Sequence, residues 1–482
     1  MSGTLVLDVG KSNAKLMLVD ADGAVCRSAT VANESVHDEQ HGFLALGVRR
    51  LEAWLQEAVP AILAGEVPQR IAVATHGAAF CAIDEAGLVL PPIDYEWDGY
   101  GDVTAAFDAS LANFAHHGTP VLEKGLNGGR QIDFVLRRWP ELEARIRYWV
   151  PYPQYWSWWF SGVASTEISS LGCHTGLWDP ARNRYSDWAV ARGIAKRFAP
   201  LRNAWDVVDT LRPGLAEAWR LPAGIEVIAG VHDSNACLAR YLRTTPLATV
   251  VSTGTWCVAM APGADPGRLS ADRGELVNVA VDGRAVPTAR FMGGREFALL
   301  CGGASPELAT EQALVEVLGE GWEVRPPAAS GGDLFRDADA YRVFRRGARI
   351  AQGIAGVPER LRPALASLHC ADRTLLMVGD LARPETASSA SPVIVEGPLA
   401  SNAAYVAALA EGLGARPLLR SADALEGTAR GAWMLAWWDS AAGVRFEPSL
   451  ERLGRPGGAL GERLGRRQRS SGAGEGARLA AL

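Results

Sequence analysis

No apolar run in this chain reaches the roughly 18 residues that a membrane-spanning helix needs. The opening Met1-Ser2-Gly3-Thr4 leads straight into a strand pattern, without the basic region or apolar core of a secretory signal. A cytoplasmic location is therefore expected. Cysteine is sparse, with seven in 482 residues. Cys26, Cys81, Cys173, Cys237, Cys257, Cys301 and Cys370 stand singly, with no CxxC pair and an odd total, which suggests neither a disulfide framework nor a zinc site. They read as reduced core or surface thiols. Positive charge is also in short supply: 48 Lys and Arg against 54 Asp and Glu leave a net charge of −6. That argues against nucleic acid or an anionic membrane as the main partner. No helix-turn-helix or basic recognition helix is visible either.

What is present is an ordinary globular composition, 48% hydrophobic and 21% charged. At 482 residues the chain exceeds the roughly 250–300 at which one hydrophobic core stops growing, so two domains are expected. Leu5-Val6-Leu7, Ala14 to Leu18 and Ala24 to Val31 read as a meander, with turn chemistry at Asp20-Ala21-Asp22-Gly23. Leu44, Val48, Leu51, Leu55 and Ile62 follow at helical spacing and predict a helix from about 41 to 64. Arg70 to Thr75 is then a strand running into His76-Gly77. Three antiparallel strands, a helix and a further strand are the opening pattern of a ribonuclease-H-like domain.

Pro91 to Asp98 reads as an acidic, aromatic loop of a kind that can bind polyols, through carboxylates that accept hydroxyl bonds and rings that cover C–H surface. Residues 130–149 are helical in pattern, with Pro140 starting a second piece. Trp149 and Trp156 to Phe160 are expected in an aromatic helix that is core more readily than ligand site. A second half begins near Leu242 to Pro246, at a helix-breaking proline. Its strand, small-residue turn and strand over Ala248 to Ala259 repeat the layout of Leu5 to Leu18, which suggests a duplicated fold with a cleft between the halves. Thr374 to Val378 and Pro392 to Val395 read as buried strands, and Glu396 to Asn402 enters a helix. From Gly454 the chain is rich in Gly, Arg and Ser; six arginines against two glutamates give this tail +4 and leave −10 for the rest. Disorder is expected over 454–482.

Two turns carry the chemistry. Asp8-Val9-Gly10-Lys11-Ser12 follows a strand and offers a carboxylate for Mg²⁺ with small residues whose backbone N–H groups can approach phosphate. Ser252-Thr253-Gly254-Thr255 offers a second cradle, with hydroxyls added. Between them Gly230-Val231-His232-Asp233 lies at a strand-to-helix junction, where ligands meet the strand ends of open α/β folds. Asp233 is the candidate base for accepting a proton from an attacking hydroxyl during phosphoryl transfer.

These segments resemble the FGGY carbohydrate kinases of the actin/hexokinase/Hsp70 superfamily. Asp8 through Lys15 is similar to their first phosphate motif, Gly230 through Ala236 to their catalytic segment, and Ser252 through Thr255 to their second phosphate motif. Their Gly-rich adenosine segment falls at Glu396 through Asn402. Ser-Thr-Gly-Thr-Trp, Thr-His-Gly and Pro-x-x-Tyr look closest to the rhamnulokinase and ketose kinase branch. The resemblance implies an α/β architecture of two ribonuclease-H-like domains, a sugar-binding one over 1–242 and an ATP-binding one over 243–453, with ATP in the interdomain cleft. It implies Asp8 as the Mg²⁺ ligand and Asp233 as the base for a primary sugar hydroxyl. Gly10, Lys11, Ser12, Lys15, Thr253, Gly254, Thr255, Gly397 and Asn402 fall where the nucleotide is held, and His76, Gly77, Tyr95 and His232 where sugar is contacted. The expected partner is thus a ketose of the rhamnulose, fuculose, xylulose or ribulose type, with no nucleic acid and no membrane, and a homodimer stays open. Two departures stand out: Lys11 replaces the usual Thr, either adding a phosphate contact or merely sitting exposed, and Glu396-Gly397-Pro398 replaces a glycine run. Two rival readings are a metal phosphohydrolase around His232-Asp233, for which further ligands are not evident, and an ATP-binding sugar sensor that performs no transfer.

Overall fold

A computed structural model describes residues 3–325, 341–381, 391–422, 427–439 and 447–472. Contacts divide the chain into two units: Met1–Thr244 with Leu276–Val286 and Thr428–Glu447, and Thr245–Glu275 with Pro287–Gly427 and Pro448–Leu482. Neither unit is a continuous stretch. The chain after Gly427 returns to the first unit, where the Trp437 indole N–H donates to Thr4 Oγ1 at 2.9 Å.

In the first unit the strands run in the order Val25–Ala32, Asn13–Val19, Gly3–Val9, Pro68–Thr75, Glu226–Ile228 and Val207–Thr210. Gly3–Val9 pairs antiparallel with Asn13–Val19 and parallel with Pro68–Thr75, as a ribonuclease-H-like meander requires. Leu5, Val6 and Leu7 are all buried because the central strand is covered on both faces. The helix Val48–Leu63 lays Leu51, Leu55, Val59 and Ile62 on this sheet. It starts later than the periodicity suggests, because Phe43–Ala45 pairs as a strand with Val36–Asp38.

Trp149 lies on the strand Tyr148–Pro151, so the helical pattern expected through residue 149 ends at Arg138 and a short 3-10 turn, Pro140–Ala144. The aromatic helix is Tyr152–Ser161. Its Trp156 is fully buried core, while its polar side chains support the chain leading into Asp233. Gln154 Nε2 donates to the Gly230 carbonyl at 2.9 Å, and Ser157 Oγ to the Ile228 carbonyl at 2.8 Å.

The second unit repeats the order: Ala285–Phe291, Cys257–Met260, Thr249–Thr253, Val393–Glu396, Leu418–Ser421 and Leu450–Leu453. Thr249–Thr253 pairs antiparallel with Cys257–Met260 and parallel with Val393–Glu396. Thr374 to Val378 is not a strand; it continues the helix Arg362–Leu381. The helical register of Leu365, Leu368 and Ala371 runs on into Met377 and Val378, and Thr374 Oγ1 bonds back to the Cys370 carbonyl at 2.9 Å.

The tail also departs from expectation, since Gly458–Gly472 is a helix. Leu460 and Leu464, one turn apart, enter the core of the second unit, and Arg467 forms a two-pronged ion pair with Asp372. The rest of the expected disorder, over 473–482, lies outside the described residues.

Candidate active site

Register alone brings the first group together. Ala74 pairs with Asp8 on one side and Val231 on the other, and Thr75 with Val9 and His232. The carboxylates of Asp8 and Asp233 therefore project from the C-terminal ends of strands that flank a common neighbour. Gly230, at φ +87°, makes the bend that ends in the helix Asp233–Leu242. Asp233 occupies the first turn of that helix, whose positive end favours a carboxylate. Its Oδ1 accepts from the Ser234 N–H at 2.5 Å and lies 3.2 Å from both Ser234 Oγ and His232 Nε2. Among the described residues no donor is bonded to Oδ2.

Burial and the nearby Asp233 charge push the Asp8 carboxyl up to about 7, against the opposing pull of Lys15 directly across the strand pair. A cation beside Asp8 would offset the burial and the neighbouring negative charge that disfavour its ionised form. Among the described residues no group of three or more His, Cys, Asp or Glu could hold a metal by itself. A Mg²⁺ ion here would take its remaining oxygens from phosphate and water, as this ion ordinarily does.

The predicted sugar residues gather at the same strand ends. The His76 Nδ1–H donates to the Gly77 carbonyl at 2.8 Å, which leaves Nε2 as the acceptor. That Nε2 is buried with no partner among the described residues. Tyr95 sets its ring edge-on to His76 at 5.6 Å, and Tyr152 packs against it at 5.2 Å. Gly77 admits no side chain, because a Cβ there would sit 2.8 Å from Cys173 Sγ and 2.9 Å from His232 Nε2. Burial lowers both histidines below their ordinary range, so both rings are neutral at pH 7. It pushes the Cys173 thiol up to about 12.

Lys11, expected among the residues that hold the nucleotide, is paired within the protein. Its ammonium is 2.5 Å from Asp94 Oδ2 and 2.9 Å from Ser35 Oγ, and 5.5 Å from the Tyr95 ring centroid. Ser35 Oγ bonds the same carboxylate oxygen, and the Glu96 N–H reaches Oδ1 at 2.8 Å. Burial works to raise the Asp94 carboxyl, but Lys11 and these donors outweigh it and hold it below its ordinary value. A point charge so paired belongs to the acidic loop, on the side of His76 and Tyr95. Asp94 lies in the loop that the sequence marks as able to bind polyols, while Ser35, which no motif singled out, completes its ion pair.

Gly10 forms the tight turn, donating its N–H to the Asn13 carbonyl at 2.9 Å, and Ser12 is exposed on it. In the second unit the Gly254 N–H bonds the Trp256 carbonyl at 2.9 Å, closing the turn that carries Thr255. A Cβ on Gly254 would meet nothing nearer than 3.9 Å, so space is open there, as a phosphate cradle needs. Gly397 differs: at φ +85° its Cβ would fall 1.8 Å from the Thr253 carbonyl oxygen, so only glycine allows the two segments to cross. The Thr253 hydroxyl staples this crossing, donating to the Glu396 carbonyl and accepting from the Leu399 N–H. The hydroxyl thus has a protein partner both as donor and as acceptor. Asn402 is likewise a helix cap, its Oδ1 accepting from the Tyr405 N–H at 2.9 Å. Gly294, which the motifs missed, packs on the same turn, where a Cβ would lie 2.3 Å from the Gly254 carbonyl. The Gly293-Gly294 pair opening a helix directly after a strand was its visible signal.

Comparison with known proteins follows this division. Residues 245–444 match the family model described as carbohydrate kinase FGGY, C-terminal domain. A carbohydrate kinase from Novosphingobium aromaticivorans is 30% identical, with 98% of this chain and 100% of that one covered and a TM-score of 0.80. Xylulose kinase from Lactobacillus acidophilus, 12% identical with 99% of each chain covered and a TM-score of 0.76, shares the fold. An L-fuculokinase of Salmonella typhi is 26% identical over 273 residues, which span 53% of this chain and 56% of that relative. The chain thus spans about half the length of the curated relatives it matches. With a full-length relative at this identity and the second half matched by the family model, the chain belongs to the FGGY carbohydrate kinase family.

Proposed function

We propose that the protein transfers the γ-phosphoryl group of ATP to a sugar hydroxyl, most favourably the primary hydroxyl of a ketose. The observation that carries this reading is the strand-end group of Asp8, His76, His232 and Asp233, in which, among the described residues, the buried His76 Nε2 has no partner and Asp233 Oδ2 no donor. Asp233 Oδ2 takes the hydroxyl proton, the oxygen forms its bond to the γ-phosphorus, and ADP leaves. His76 Nε2 accepts from a second hydroxyl, while Tyr95 covers a C–H face of the sugar. Mg²⁺ held at Asp8 would neutralise the phosphate charge. The turns at Gly10–Ser12 and Gly254–Thr255, with Lys15, supply the donors that hold the phosphates.

The test is ADP release with Mg-ATP across a panel of ketoses, aldoses and polyols, wild type beside Asp233→Asn. Turnover with one sugar that is lost in the variant supports the reading and names the substrate. Full turnover in Asp233→Asn removes that residue from the mechanism, and ATP binding without turnover on any sugar favours a sensor.

A further inference from the structure

His232 precedes the candidate base, and a chain of amide contacts fixes which of its nitrogens carries the proton. The Val279 backbone N–H donates to Asn278 Oδ1 at 2.8 Å, which settles that oxygen as an acceptor. The Asn235 side-chain nitrogen lies 3.2 Å from the same oxygen, so Asn235 presents its NH₂ group there. The second N–H of that group faces His232 Nδ1 at 3.1 Å. Nδ1 must then accept, and the ring proton resides on Nε2, 3.2 Å from Asp233 Oδ1. Asn235, Asn278 and His232 are 1%, 2% and 7% exposed, so water does not compete for these contacts.

We propose that Asn235 is a positioning residue: it fixes His232 in the Nε2–H tautomer, so that a proton and not a lone pair stands 3.2 Å from Asp233 Oδ1, with Oδ2 left for the substrate hydroxyl. The inference rests on the reading of Asp233 as base. Its electrostatic logic is simple. With the proton on Nε2 the ring sets its positive side near Oδ1, whereas the other tautomer would set a lone pair there. Asp233 is the charge that acts on the ring, and Cys173, beside it at Gly77, is a neutral thiol. Nothing in the first phosphate motif or the acidic loop performs this task.

The experiment uses the full chain labelled with ¹⁵N-histidine, read by long-range ¹H–¹⁵N spectra at neutral pH, with His232→Gln to assign the resonance. Wild type should show Nε2 protonated and Nδ1 bare. Asn235→Ala should give mixed tautomers, and Asn235→Asp, which offers Nδ1 an acceptor, should move the proton there. With the sugar that the panel identifies, Asn235→Ala should lower kcat roughly tenfold while both KM values stay within about threefold. A wild-type spectrum with the proton on Nδ1 overturns the proposal, and so does unchanged kcat in a variant whose tautomer has moved. Should Asn235→Ala not fold, Asn278→Ala releases the same amide, and the wild-type spectrum needs no variant. The spectra read the tautomer independently of turnover. Loss of the base reading, seen as activity in Asp233→Asn, is therefore distinguishable from loss of this one.

Discussion

Replacing Asp8 by Asn should stabilise the protein freed of metal and nucleotide, and only on the alkaline side. The Asp8 carboxyl rises from an ordinary 3.8 to about 7, through burial first and the Asp233 charge second. Below pH 4 folded and unfolded chains both hold the proton and no penalty exists. As pH rises from 4 to 7 the unfolded chain ionises while the folded one resists, so stability falls; above 7 the penalty is complete. Three pH units at 1.36 kcal/mol each set a ceiling of about 4 kcal/mol. Asp8 retains partial exposure, and screening should bring the effect to about 2 kcal/mol. The assay is urea unfolding of wild type and Asp8→Asn in EDTA from pH 4.5 to 8. The variant's advantage should grow across that range. Added Mg²⁺ should stabilise wild type at pH 8 and leave the variant unmoved. An advantage that is flat with pH, or largest at pH 4.5, would refute the assignment of Asp8 as the strained carboxylate.

Three further outcomes follow from the same geometry. Lys11→Met strips the counter-ion from a fully buried Asp94; it should cost roughly 3 kcal/mol in urea unfolding and raise the sugar KM with the ATP KM unchanged, whereas a rise in ATP KM alone would return Lys11 to the phosphates. Gly397→Ala should destabilise by on the order of 4 kcal/mol, while Gly254→Val, with open space at its Cβ, should leave the melting temperature within a few degrees and weaken ATP binding in calorimetry. Ending the chain at Gly457 removes buried Leu460 and Leu464 and should cost about 4 kcal/mol; an unchanged urea midpoint would mean the terminal helix contributes nothing.

The motifs were legible where chemistry lies within one strand end. Asp8 and Asp233 are 225 positions apart in sequence, but once the strand order is given, pairing of Ala74 with both Asp8 and Val231 makes them neighbours. What composition and spacing did not carry is which polar groups are already bonded to one another. The Thr253 hydroxyl sits in the second phosphate motif and the Asn402 amide in the adenosine segment, yet both close hydrogen bonds within their own unit. Helix and strand were confused at Thr374 to Val378 because a five-residue apolar run fits either period, and only the preceding Leu365 and Leu368 decide it. The tail misled for the opposite reason: its Gly and Arg content hides two leucines one turn apart.

Lys11 shows most plainly why local motif and site can part. A cation beside a phosphate-binding turn is expected to seek phosphate, but the protein supplies a buried carboxylate 83 positions away, before any ligand arrives. Freeing that ammonium for a phosphate would leave Asp94 charged and dry, at a cost of several kcal/mol. One phosphate contact in a solvated turn does not offset that cost. The ion pair therefore ties Lys11 to the loop that carries Tyr95, whose ring centroid lies 5.5 Å from the ammonium.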